Sequence, residues 1–225
     1  MIRRLIIQMV LLLVAFAVLL FPAAGTWSWL QAWALIAEFG ILGLSVGLWL
    51  AHYNPGLLRE RMGSVAQSEQ MGWDKIFLLL IMVLWCIWFV VMALDARRMQ
   101  GSGFSLPWQV IGALFIAFSM YTSYRIFREN SFAAPVVKIQ RDRDHKVITT
   151  GPYSLVRHPM YAGASFMFVG IPLLLGSWWG LAFAPLFIIA VAIRSVLEER
   201  MLEAELAGYA DYKRSVRYRL VPLIW

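Results

Sequence analysis

The sequence predicts an all-α fold, a multi-span helical membrane bundle of about six transmembrane helices. Three observations predict it. Hydrophobic residues make up 61% of the 225 positions and charged residues only 15%, against roughly 45–50% and 25% in soluble domains. Six apolar runs approach the ~20 residues that cross a bilayer's hydrocarbon core. With the N-terminus inside, eighteen of the twenty Lys and Arg residues fall on one side, and only Arg97 and Arg98 on the other. This composition excludes an ordinary soluble enzyme, a disordered tail and a collagen-like fibre.

The first run is Leu5 to Phe21, after the basic start Arg3-Arg4 and before the breaker Pro22-Ala23-Ala24-Gly25. A basic start, an apolar centre and small residues also suit a signal peptide. The series of spans that follows favours a membrane helix. The second run is about Gln31 to Leu50 and holds Glu38, a carboxylate that costs about 2.5–3.5 kcal/mol at mid-bilayer unless it has a partner or a task. The third is Lys75 to Leu94, with Cys86 as a small hydrophobe inside it. The fourth starts at Pro107, suited to a first helical turn, and ends near Phe127. The fifth, Pro159 to Leu175, is short. A Gly176-Ser177 turn joins it to the sixth, about Trp178 to Leu197, as a helical hairpin.

Both termini are then expected in the cytoplasm. Trp27, Trp29, Trp33, Trp108, Trp178 and Trp179 should form an aromatic belt at the outer interface. The net charge of +7 reads as topology and headgroup contact, and nucleic acid is not expected as a partner. One cysteine allows no disulfide within the chain, and His52, His145 and His158 are too scattered for a metal site. Polar material is confined to residues 51–74, 128–158 and the tail from Glu198. All three are inside, so chemistry is expected at the cytoplasmic face.

Within the second segment Val147-Ile148-Thr149-Thr150 is strand-like in composition, and Gly151-Pro152 turns the chain. Arg157-His158-Pro159 leads into the fifth helix. Pro159 fits the first helical position and His158 the N-cap, so the unpaired N–H groups there, with Arg157, make an anion site. Gly163 leaves room for a ligand or another backbone. The plainer alternative is that Arg157 and His158 anchor the helix to lipid phosphate. Glu198-Glu199 ends the sixth helix, where negative charge opposes the helix dipole unless the helix runs on. It suits a cation or ribose hydroxyls, or it is simply a solvated continuation. The tail from Gly208 to Pro222 interleaves basic and aromatic residues, as an interfacial anchor would.

The order Gly-Pro-Tyr (151–153), Arg-His-Pro-x-Tyr (157–161) with Gly163, Glu-Glu (198–199) and Gly-x-x-Tyr-x-x-Tyr-x-x-x-Val (208–216) resembles the isoprenylcysteine carboxyl methyltransferase family. The phospholipid N-methyltransferases share the Arg-His-Pro and Glu-Glu core. Asn54-Pro55-Gly56-Leu57-Leu58 resembles a cytoplasmic segment of bacterial members. The resemblance implies one membrane domain over 1–225, with a cofactor-binding catalytic region at 130–222. It implies S-adenosylmethionine as cofactor and a lipid-soluble acceptor, either an isoprenylcysteine-like carboxylate or a phospholipid amine. Arg157 and Glu199 are the candidate catalytic residues. Tyr153, Arg157, His158, Pro159, Tyr161, Gly163, Glu198, Glu199, Tyr209 and Tyr212 are the candidates for holding the cofactor. Two other classes compete: a sterol-reductase-like NADPH enzyme, for which no Gly-rich dinucleotide fingerprint is present, and a non-enzymatic transporter or scaffold.

Overall fold

The computed structural model describes residues 1–64, 66–67, 69–99 and 103–225; Val65 and Ser68, in the polar segment 51–74, lie outside the described residues. Among the described residues the eight α-helices are α1 (Ile2–Ala24), α2 (Leu30–Tyr53), α3 (Pro55–Arg61), α4 (Gly72–Arg97), α5 (Leu106–Glu129), α6 (Pro159–Leu175), α7 (Trp178–Glu205) and α8 (Tyr209–Ser215). Five, α1, α2, α4, α5 and α7, are long and apolar enough to cross a membrane. The expected fifth span, α6, has 17 residues, about 25 Å of helix against a hydrocarbon core of about 30 Å. It stands inside the bundle, where Ile171 to Leu175 are all buried. A helix that faces protein need not match the bilayer.

The remaining expectations sort by locality. No strand occurs among the described residues, and Val147–Thr150 runs as irregular chain, because no neighbouring edge offers it a ladder. Trp27, Trp33, Trp108, Trp178 and Trp179 are exposed, but Trp29 is buried in the main core and is no part of a belt. Helix α7 continues to Glu205, well past Leu197. Glu198 and Glu199 therefore sit more than a turn before its end, and the objection from the helix dipole lapses.

Small residues set the central crossing. A Cβ on Gly112 of α5 would lie 2.5 Å from the Leu174 backbone nitrogen and 2.6 Å from the Gly170 carbonyl oxygen of α6. Only glycine lets these two backbones meet. The core around this crossing joins Phe16, Phe39, Trp88, Phe89, Ile116, Phe168 and Phe187 from six helices.

The two ends of the bundle are built differently. At one end Gly25 (φ 72°) closes α1, and the Arg98 guanidinium donates to the Pro22 carbonyl at 3.1 Å. Asp95 of α4 accepts from the Ser177 hydroxyl (2.7 Å) and the Trp179 amide (3.0 Å), placing a carboxylate at the start of α7. Arg97 and Arg98, the two cations on this side, thus serve local contacts. At the other end Asn54 caps α3 by accepting from the Leu57 amide, and its own amide donates to the Ser131 hydroxyl. Leu57 and Leu58 then pack with Leu5, Leu50, Ile126 and Phe127. This second end carries residues 130–158, α8 and the C-terminal segment.

Candidate active site

Residues 130–148 form an irregular roof over the N-terminus of α6 and the last turns of α7. Beneath it lies a cleft partly open to solvent. Tyr153, Arg157, His158, Pro159, Tyr161, Glu198, Tyr209 and Tyr212 all line it. Eight of the ten candidate residues, drawn from four stretches of the chain, therefore meet in one place. Glu199 and Gly163 are not in its wall.

Glu199 is 2% exposed and spent inside the protein. Its Oε1 accepts from Arg157 Nε at 2.6 Å and lies 3.2 Å from His158 Nε2. Its Oε2 accepts from Arg219 Nη2 at 2.7 Å. Arg157 is spent as well. Beyond Glu199, its Nη1 donates to the carbonyls of Val216 and Arg217 at 2.8 and 2.7 Å. The backbone amides of Arg157 and His158 donate to the carbonyls of Tyr218 and Arg219. Arg157 thus lines the cleft while its fork also straps the C-terminal segment across the foot of α6. Gly163 serves the backbone reading, since a Cβ there would meet Thr122 of α5 at 2.9 Å.

Glu198 is the opposite case. Its side chain is 25% exposed and faces the cleft. It accepts from the Tyr161 hydroxyl at 2.6 Å, and Oε1 has no protein partner among the described residues. His158 stacks on Tyr161 with ring centroids 5.5 Å apart. His158 is the N-cap of α6 without a side-chain cap bond, which leaves the Met160 and Tyr161 amides of the first turn without a cap among the described residues.

The tyrosines divide the same way. Tyr153 accepts from Asn130 Nδ2 at 2.7 Å, and the Tyr212 hydroxyl donates to the Tyr153 carbonyl at 2.7 Å. The Tyr209 hydroxyl is buried with no partner among the described residues, although the residue lines the cleft. Burial, reinforced by the Glu199 and Glu198 charges, holds its phenol well above the ordinary range, so it stays protonated. An orphaned buried donor costs about 1–3 kcal/mol, an outlay that a ligand acceptor removes.

Several site residues escaped the sequence reading. Asp74, Arg194, Arg219, Asn130 and Gln140 touch the cleft or its supports, and none stands out by residue type or motif. Asp74 and Arg194 carried the one usable signal, charge at the border of a span.

His145 belongs to the roof. It stacks on Phe132 with centroids 4.6 Å apart, and its Nδ1 accepts from the Gln140 amide. Burial and the nearby Arg143 charge lower its pKa from 6.5 to about 4. Between those values the released ring binds a proton that the docked ring refuses. The docked roof is therefore fully stable above pH 6.5 and loosens as pH falls toward 4. Hydrogen exchange of residues 132–148 should accelerate over that window, and in His145→Gln the acceleration should disappear. An identical pH profile in that variant would remove His145 as the cause.

Beside the cleft runs a wider apolar groove of about 1740 Å³. It is lined by Phe118, Tyr121, Gly163, Phe166, Ile188 and Val221, with Arg125 among its few polar residues. Pro159 lines both cavities. Among the described residues no cluster of His, Cys, Asp and Glu could hold a metal ion.

Residues 108–207 match the family model described as phospholipid methyltransferase. Over 74 residues the chain is 31% identical to protein-S-isoprenylcysteine O-methyltransferase B of Arabidopsis thaliana. That match takes in 33% of this chain and 34% of the relative, so the chain covers about a third of that protein's length. The family match contains α6, α7 and the roof; Tyr209 and Tyr212 lie beyond it.

Proposed function

We propose, from the premise that residues 108–207 are of the phospholipid methyltransferase family, that this chain is an integral membrane methyltransferase. It takes S-adenosylmethionine as donor and a lipid-soluble molecule as acceptor. The observation that carries the reading is the pairing, in one cleft, of an unspent carboxylate (Glu198) with an orphaned buried hydroxyl (Tyr209). The donor set fits the proposed cofactor. Glu198 suits its ammonium or ribose hydroxyls, the free amides at the start of α6 suit its carboxylate, and the surrounding tyrosine rings suit a sulfonium by cation–π attraction. When bound, the cofactor supplies an activated methyl group.

The protein's own part is positioning. Holding two reactants in line is worth about 7–11 kcal/mol. The roof, the strapped C-terminal segment and α6 hold the cleft rigid, while the apolar groove admits the acceptor from the bilayer beside Pro159. A carboxylate acceptor is ionised at neutral pH and needs no base. An amine acceptor must lose a proton, and Glu198 and His158 are then the groups within the cleft to receive it. The 31% identity to an isoprenylcysteine methyltransferase favours the carboxylate. Orientation follows the Lys and Arg bias, with the cleft facing the cytoplasm.

Purified protein given methyl-labelled S-adenosylmethionine, with either a prenylcysteine analogue or phospholipid vesicles, tests this. Label in the prenylcysteine as a base-labile ester is expected. Label in the phospholipid amine would reverse the acceptor assignment. Label in neither, with no donor binding by calorimetry, would overturn the reading.

A further inference from the structure

The roof is gripped at its centre by an ion pair that lies outside the family's Arg-His-Pro and Glu-Glu motifs. Asp74, fully buried at the start of α4, divides its carboxylate. Oδ1 accepts from Arg194 Nε of α7 at 2.8 Å. Oδ2 accepts from the Val137 amide at 2.9 Å and from Gln70 Nε2 at 2.8 Å. Arg194 in turn donates through Nη2 to the Pro135 carbonyl at 2.9 Å. The Val137 carbonyl accepts from the Met71 amide. Thus three polar backbone atoms of the roof, at Pro135 and Val137, end on α4, its N-cap and α7.

The same guanidinium lies over the Tyr161 ring at 5.7 Å and lines the cleft. Tyr161 donates to Glu198. One side chain therefore touches the roof, the wall and the partner of the unspent carboxylate. Elsewhere the roof is tied to α3 through Arg61 Nη1 to the Ala133 carbonyl and Lys138 to Glu60, both at 2.8 Å, to the α3 cap through Asn54 and Ser131, to Tyr153 through Asn130, and to the end of α7 through the exposed pair Arg141–Glu205. Those ties hold its edges. Its middle depends on Asp74 and Arg194.

We propose that Asp74 and Arg194 form a latch that keeps the roof closed over the bound methyl donor, and that they are positioning residues for the donor site. The donor's identity rests on the function proposed above; the latch itself does not. A ligand that needs the closed roof binds with an apparent affinity reduced by the fraction of time the roof is closed. Breaking the latch should therefore raise the donor's Kd and KM and slow turnover much less.

The variant is Asp74→Asn with Arg194→Gln, which leaves no buried charge without its partner. Asp74→Ala is the harsher companion. The expected result has three parts. Hydrogen exchange in residues 133–140 speeds up while α1 and α2 keep wild-type protection. The Kd for S-adenosylmethionine by calorimetry rises about tenfold or more. KM for the donor rises in step while kcat falls less. If the double variant keeps wild-type exchange and wild-type Kd, the latch is overturned. If exchange rises equally throughout the bundle, the pair is a general stabiliser and the proposal also fails. Should the wild-type protein bind no S-adenosylmethionine, the function reading falls, and exchange at 133–140 alone decides the latch.

Discussion

Glu199→Ala will destabilise the protein more than any other single change at the site. The carboxylate serves Arg157, Arg219 and His158 together, and all of these contacts are buried or nearly so. Its removal leaves two guanidinium groups facing each other with no anion between them. Breaking a buried pair by deleting one partner costs about 3–5 kcal/mol. The loss spreads along the chain, because Arg157 also holds the carbonyls of Val216 and Arg217. Freed of its counter-charge, that fork no longer fixes the C-terminal strap, and the strap carries Arg219. Thermal unfolding in detergent or lipid should show a large drop in midpoint, and limited proteolysis should cut after residue 205. Glu199→Gln retains an acceptor and should fall between the two. A variant that melts like the wild type would show that Arg157, Arg219 and His158 do not depend on this carboxylate.

The neighbouring substitution should behave in the opposite way. Glu198→Ala removes one hydrogen bond, from Tyr161, whose hydroxyl can then turn to water in the cleft. The melting midpoint should hardly move. Affinity for S-adenosylmethionine should fall by about 10- to 100-fold, the worth of one hydrogen bond to a charged group. Calorimetry against the folded variant measures this directly. An unchanged Kd would take Glu198 out of the ligand's reach and leave the cleft without its anion. The pair of results is more informative than either alone. Two adjacent glutamates, alike in sequence, are expected to separate cleanly into a stability residue and a binding residue.

The contrast shows how far the sequence reaches. The bundle was legible because membrane spans are local: an apolar run, a Pro at a first turn and a Gly-Ser break are each read within one segment. Five spans and the α6–α7 hairpin followed from that. The gathering of Tyr153, His158, Tyr161, Glu198, Tyr209 and Tyr212 around one cleft was legible through the motif order, and the structure adds the roof that makes it a cavity. Trp29 was misread because a belt tryptophan and a core tryptophan look alike without their neighbours. Val147–Thr150 has strand composition but runs as irregular chain, because composition does nothing without a partner strand.

The sequence by itself determined the helices, their hairpin connections and the residue types that meet at one end of the bundle. Only the tertiary structure decided which of those residues are spent and which are free. Successive residues on a helix point about 100° apart, so Glu199 of α7 turns into the protein and Glu198 into the cleft. Arg157 finds its carbonyls 59 and 60 positions along the chain. Asp74 finds Arg194 at a separation of 120. A side chain's chemistry is carried by its type, but its availability is set by whichever distant groups the fold brings within 3 Å of it. In a dry interior a single such contact decides whether a charge holds the protein together or waits for a ligand.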